Sequence, residues 1–207
     1  MSPHPWQRNP SPVDLKIVSG KDLLPHIADL ARLRIEVFRQ FPYLYDGNPA
    51  YEEHYLQTYC SAELAMAALA IDREYGLIVG ASTGVPMQYE TEECKQPLID
   101  RGFDPARLFY CGESVLLERF RGRGLYRLFM ESREEYARSL GLEMCCFCAV
   151  VRPDDHPLRP PGYQPLDAIW KHFGYTPEPS LVTYYSWKDI GQTFETRHQM
   201  MFWLKSL

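Results

Sequence analysis

The chain has 207 residues, 45% of them hydrophobic and 24% charged, enough for one well-packed domain and short for two. Its net charge of −5 argues against a nucleic-acid partner, because no basic patch stands outside one Arg-rich loop, and agrees with a cationic or amine ligand. No apolar stretch approaches the ~20 residues that cross a bilayer, and MSPHPWQRNPSPVD lacks the apolar centre of a signal peptide. The expectation is therefore a cytoplasmic protein with no membrane partner, residues 1–13 being a disordered Pro-rich lead and residues 14–207 a single domain.

In chain order, DLKIVS (14–19) predicts a first strand and residues 23–41 a helix whose apolar stripe is Ile27, Leu30, Leu33, Val37 and Phe41. A second helix is expected within residues 49–61, then two strands, 63–72 and 75–88, joined by the turn REYG. Residues 91–108 are polar and helix-capable, interrupted by Gly102 and Pro105, and are expected to form an inserted segment covering a substrate mouth. FYCGESVLLE (109–118) is a short apolar run suited to a buried strand. The helix after it carries Leu125, Leu128, Phe129, Ser132, Tyr136 and Leu140 at helical spacing and ends at Gly141. A buried strand (143–151), a Pro-rich loop (152–165), a short helix (166–175) and strands at 181–190 and 200–205 complete the order. MMFWLK, the last of these, is expected as an edge strand or a homodimer contact.

The six cysteines are expected to stay reduced, since a chain with a full core needs no staples. On a strand, Cys146 and Cys148 face one side and Cys145 the other, which suits buried packing and does not build a tetrahedral metal site. No metal is expected.

Arg121, Gly122, Arg123 and Gly124 lie between the strand at 109–118 and the helix after it. Two glycines let backbone N–H groups turn toward an anion, two guanidinium groups offset its charge, and the helix start adds unpaired N–H groups and a positive dipole end. The loop lacks the Lys-Ser/Thr pair of a P-loop and the three-glycine spacing of a dinucleotide fold. A coenzyme pyrophosphate is the ligand this arrangement suits, beside the plainer reading of a solvated Arg/Gly turn.

The strand-loop-helix FYCGESVLLERFRGRGLYRLFMESREEYARSLG resembles the acetyl-CoA binding motif of the GNAT (GCN5-related N-acetyltransferase) superfamily, R/Q-x-x-G-x-G/A at the start of a long helix. Arg121 and Gly124 fill the first places, and Tyr126 stands where the family has Gly or Ala. AIWKHFGY, through Ile169, Trp170, Gly174 and Tyr175, is similar to the family's L-Y-E-K-L-G-F segment, with Trp170 where its acid Tyr is usual. The resemblance covers residues 14–190. It implies an α/β fold with a mixed, mostly antiparallel central sheet and flanking helices, and acetyl-CoA as cosubstrate. It implies that Val115, Leu116 and Leu117 meet the pantetheine arm through their backbone, and that Arg121 to Tyr126, including Leu125, hold the pyrophosphate.

Direct attack of an amine on a thioester requires a base for the ammonium proton and a donor for the oxyanion. Glu113 is the candidate base: under regular alternation it shares a face with Phe109, Cys111, Val115 and Leu117, where desolvation raises a carboxyl pKa. The competing reading is a carboxylate paired with a buried Arg or capping backbone N–H groups. The loop RPDDHP offers Asp154, Asp155 and His156 as acid, base or amine-binding groups, set against an ordinary solvated turn. Tyr163 and Tyr110 are alternative acids, since the indole of Trp170 cannot serve. In YLYDGNPAYEEHY, Tyr43, Tyr45, Asp46, Glu52 and Glu53 are candidate contacts for the acceptor. The function expected is acetyl transfer to a primary amine, that of a small molecule rather than a protein. The alternative is a non-catalytic acyl-CoA-binding sensor, which the departures at Tyr126 and Trp170 keep open and Glu113 and the Asp-His loop argue against.

Overall fold

The computed structural model describes residues 12–60 and 62–207. Residues 1–11, where most of the disordered lead was expected, lie outside the described residues. Seven strands form one sheet: β1 (Val13–Ser19), β2 (Met66–Asp72), β3 (Ile78–Pro86), β4 (Leu108–Leu116), β5 (Met144–Val150), β6 (Thr176–Trp187) and β7 (Thr196–Ser206), in the order β1-β2-β3-β4-β5-β7-β6. Every neighbouring pair is antiparallel except β4 and β5. This is the mostly antiparallel mixed sheet expected from the sequence.

Sequence explains where each strand sits. All nine residues of β3 are buried, which requires cover on both faces: α1 (Ile27–Phe38) packs on β3 and β4, and α4 (Leu125–Ser139) on β2 and β3. β1, at one edge, leaves most of its residues partly or fully exposed and buries little beyond Val18. The turn between β2 and β3 is closed by Asp72, whose carboxylate accepts from the Glu74 N–H at 2.9 Å, while Gly76 supplies a backbone φ of +65°.

Several boundaries differ from expectation. The first helix is shorter than residues 23–41: Pro25 lies in a 3₁₀ turn (Gly20–His26), and the α-helix runs only from Ile27 to Phe38. α2 (Pro49–Cys60) agrees with its prediction. β6 starts at Thr176, before a register shift between Glu178 and Val182 that interrupts its pattern. MMFWLK lies within β7, between β5 and β6, and Met200, Phe202, Trp203 and Leu204 are buried there, so it is neither an edge strand nor an exposed contact surface. Cys145 packs in one core cluster and Cys146 and Cys148 in the other, as the alternation required, and Cys94, Cys111, Cys145, Cys146 and Cys148 are all free.

Residues 91–108 contain a helix, α3 (Glu92–Asp100), and a 3₁₀ turn (Pro105–Arg107). α3 packs against β6 and places Cys94 and Leu98 in the second core cluster. It contributes nothing to the cavity described below, so it is a structural cover and not a substrate lid.

Two features of β4 position the site. Only Leu108, Phe109 and Tyr110 pair with β5, opposite Met144, Cys145 and Cys146; beyond them the parallel strands part. On its other side, β4 carries a bulge: Ser82 pairs with Ser114 but Gly84 with Cys111, so Gly112 and Glu113 oppose Thr83 alone. The Glu113 N–H donates to the Thr83 hydroxyl at 3.3 Å.

Candidate active site

A cavity of about 310 Å³ opens where β4 and β5 separate. Its walls are Cys111 to Ser114 of β4, Phe147 to Val150 of β5, the turn after α1 (Phe41 to Tyr43), Tyr126 and Arg133 of α4, and Trp170 of α5 (Asp167–His172). Tyr163 and Asp154 join from the Pro-rich loop.

Glu113 does not share a face with Phe109 and Cys111, because the bulge reverses the alternation. Phe109 packs edge-on against Tyr136 of α4, with ring centroids 5.9 Å apart, whereas Glu113 reaches to α1, where Arg34 Nη1 donates to its Oε2 at 2.6 Å. Arg34 Nε also donates to Oε2 of the buried Glu52 of α2, and the Tyr45 hydroxyl donates to Glu52 Oε1 at 2.6 Å. Glu113 is therefore an oriented, ion-paired carboxylate rather than an isolated one. Its Oε1 receives no donor among the described residues, and the residue lines the cavity.

The structure divides the Pro-rich loop differently from the sequence. Tyr163 lines the cavity, its ring edge-on to Phe41 at 4.7 Å and beneath the Arg159 guanidinium at 5.3 Å. Asp155 is exposed and His156 stays outside the cavity wall, its Nδ1 accepting from the Leu158 N–H at 3.2 Å. Asp154, which lines the cavity in their place, is bonded to Arg159 at 2.9 Å. Among the earlier acceptor candidates, Tyr43 lines the cavity, Glu52 is committed to Arg34 and Tyr45, Asp46 pairs with Lys188 at 2.7 Å, and Glu53 is exposed. Tyr110 is fixed between strands, its hydroxyl 3.0 Å from Cys148 Sγ.

The loop before α4 has the form an anion cradle needs. Gly122 and Gly124 have φ of +73° and +79°, and an added Cβ at either would meet nothing within 4 Å, so glycine is required there by backbone conformation alone. Arg121 braces the loop: its Nε donates to the Leu116 carbonyl at 3.1 Å and its Nη2 to Gln40 at 2.9 Å. Arg123 stacks over Phe120 at 5.7 Å. Val115, Leu116, Leu117 and Leu125 are buried. Leu117 turns its N–H to Val79, at 3.0 Å. Beyond Tyr110, the cavity-side edge of β4 has no strand beside it, and such an edge can receive an extended ligand.

The two residues that depart from the resemblance meet. Trp170 Nε1 donates to the Tyr126 hydroxyl at 2.8 Å, and both line the cavity. The phenol accepts that bond, and its own proton has no acceptor among the described residues. Burial lifts Tyr126 above the ordinary phenol range, against the Arg133 cation and the indole bond, so its proton stays on at neutral pH.

Four residues escaped sequence reasoning. Arg34 and Arg133 look like solvated helix positions until packing places them. Glu90, just past β3, is raised to about 7 by burial, and its Oε1 has no hydrogen-bond partner among the described residues. Cys111 lies below the ordinary thiol range: burial opposes its charge, but the hydrogen bond with Cys145 and the Arg133 cation outweigh burial. A readable signal existed for Arg133. Leu125, Phe129, Met130, Arg133, Glu134 and Ala137 are the buried face of α4, a helical stripe that includes two charges, whereas the expected Leu128 is 41% exposed.

Comparison with known proteins places this geometry. No protein-family model matches the chain, and no curated protein matches it in sequence. Solved structures do. The C-terminal condensation domain of Ebony, in complex with beta-alanyl-dopamine, superposes with a TM-score of 0.61 at 10% identity, covering 95% of this chain and all (100%) of that one. YncA of Salmonella typhimurium, with its cofactor acetyl-CoA, gives 0.57 at 9% identity over 94% of each chain. An acetyltransferase of the GNAT family from Streptococcus pneumoniae gives 0.56 at 14% identity, over 94% of this chain and 100% of that one. The chain has the GNAT fold, a seven-stranded mixed sheet with flanking helices.

Proposed function

We propose that this protein is an acyl-CoA-dependent N-acyltransferase that uses acetyl-CoA and acylates the primary amine of a small molecule. The observation that carries this reading is the unpaired edge of β4 beyond Tyr110, which faces the cavity and leads to the Gly122/Gly124 turn at the α4 N-terminus. The solved relative holding acetyl-CoA supports the same donor. The residues fit it: the left-handed glycines and the first turn of α4 offer N–H groups to a pyrophosphate, and the backbone of β4 near Val115 can receive an extended arm. The thioester supplies an activated acyl carbon.

The chain's own groups then divide the proton transfers. Glu113, held through Oε2 by Arg34, presents Oε1 to the cavity as the group that receives an ammonium and removes its proton, directly or through one water. Tyr126 takes the part of the acid: its phenol is protonated, oriented by Trp170, and faces the cavity. This is how a chain with Trp170 at the usual acid position retains a proton donor there.

The test is calorimetric titration with acetyl-CoA and CoA, followed by thiol release across a panel of amines, on the wild type and Glu113→Gln. Binding, with release for one amine class that falls about 10²- to 10⁴-fold in the variant, supports the reading. Binding without release on any amine favours the sensor. No binding of acetyl-CoA or of CoA rejects the coenzyme site.

A further inference from the structure

Three arginines line the cavity. Arg152 is paired with Asp189 at 2.8 Å and Arg159 with Asp154 at 2.9 Å. Arg133 is different: it is 3% exposed, and among the described residues no carboxylate lies within ion-pair distance of it. Its Nη1 reaches only the Glu113 backbone carbonyl, at 3.4 Å, and its Nη2 the Met130 thioether, at 2.8 Å. Its Nε is buried with no hydrogen-bond partner among the described residues. The Cys111 thiol feels the Arg133 cation but makes no hydrogen bond to it among the described residues.

A buried cation with no carboxylate partner and only the Cys111 thiol as an electrostatic neighbour is expensive, and apolar residues of similar volume often replace buried charge at no loss of stability. The position on α4 is one where the helical stripe otherwise holds Leu125, Phe129, Met130 and Ala137, and its other charge, Glu134, is paired with Lys205 at 2.6 Å. Packing alone therefore does not call for arginine there. What remains is a planar, permanently charged fork in a cavity whose other walls include Phe147, Trp170 and Trp203, suited to a two-point bond with a carboxylate.

We propose that Arg133 is the receptor for a ligand carboxylate on the α4 side of the cavity. This rests on the acyltransferase reading and narrows its substrate. The carboxylate belongs either to an amino-acid acceptor, whose ammonium meets Glu113, or to the acyl group of a dicarboxylic thioester. The chemistry required of Arg133 is the same in both.

The experiment has two arms, each read by calorimetry on the full chain. In the first, the protein is titrated with the common amino acids and β-alanine, and with the matching amines that lack the carboxylate. In the second, malonyl-CoA and succinyl-CoA are compared with acetyl-CoA. The expected result is a preference of about 10- to 100-fold for the carboxylate-bearing member in one arm, which identifies the source. Arg133→Met should erase that preference, Arg133→Lys should keep part of it, and Arg133→Met should melt no lower than the wild type and bind acetyl-CoA within threefold. No carboxylate preference in either arm of the wild type overturns the proposal without recourse to any variant. So does an Arg133→Met protein that keeps the preference, or one that unfolds and loses acetyl-CoA together, which would make Arg133 a brace. Failure of the wild type to bind acetyl-CoA, malonyl-CoA or succinyl-CoA refutes the acyltransferase reading instead, while the amino-acid arm still judges Arg133.

Discussion

Arg34 ties α1 to both α2 and β4, so Arg34→Met should be among the most damaging single changes in the chain. The guanidinium serves two carboxylates whose side chains are 1% (Glu52) and 6% (Glu113) exposed. At an effective dielectric of ~20, unit charges about 4 Å apart attract by about 4 kcal/mol, and desolvation of all three groups takes back most of it. Methionine preserves the volume but leaves two buried carboxylates facing one another without a cation. Breaking a buried pair in this way costs about 3–5 kcal/mol, a fall in Tm of about 6–20 °C for a domain of this size. Urea unfolding at pH 7 measures the loss directly. Adding Glu52→Gln or Glu113→Gln to Arg34→Met should recover at least about 1 kcal/mol, because each removes one orphaned charge. A single variant within 1 kcal/mol of wild type, or double variants that are merely additive, would refute the view that this network is held by charge pairing.

Glu90, raised to about 7 by burial, holds a proton in the folded state that the unfolded chain releases above the ordinary carboxylate range. Stability should therefore fall as pH rises from about 4.5 to about 7, by at most about 3 kcal/mol from this group. Glu90→Gln should flatten that slope and raise Tm at pH 8 while leaving pH 4 unchanged, as thermal melts across pH would show. Gly124→Ala forces a side chain into the left-handed region and should cost about 1–2 kcal/mol; measured by calorimetry, acetyl-CoA affinity should fall with it. Tyr126→Phe keeps the ring and removes the phenol that Trp170 donates to; thiol release should drop at least about 10-fold while acetyl-CoA binding, titrated in parallel, holds.

Elements fixed by near-neighbour chemistry were legible. The left-handed turn at Gly122 and Gly124, the turn after Asp72, the apolar runs of β2 to β5 and the opposed faces of Cys145 and Cys146 follow from local conformation and period. What depended on partners distant in the chain was not. Arg34 and Glu113 are 79 positions apart, and the even spacing of β4 gives no sign that Thr83 faces two of its residues. MMFWLK resembles an exposed patch until β6 is known to pass outside it. Arg133 was hidden by its charge, since a stripe drawn from apolar residues alone passes it by. Tyr126 and Trp170 each looked like a loss, and only their contact supports the proposal that Tyr126 provides the proton donor that Trp170 is not.

The bulge in β4 also governs the charge balance of the sheet. By admitting one extra residue opposite Thr83, it turns the Glu113 carboxylate toward Arg34, while the Glu113 carbonyl remains beside Arg133. Under strict alternation from Phe109 and Cys111 the carboxylate would lie under α4, on the side of Arg133; with Gly112 deleted, Glu113 alone would oppose Thr83 and keep its present face. The offset thus keeps the Glu113 carboxylate on Arg34 and off the guanidinium of Arg133, which meets only its backbone.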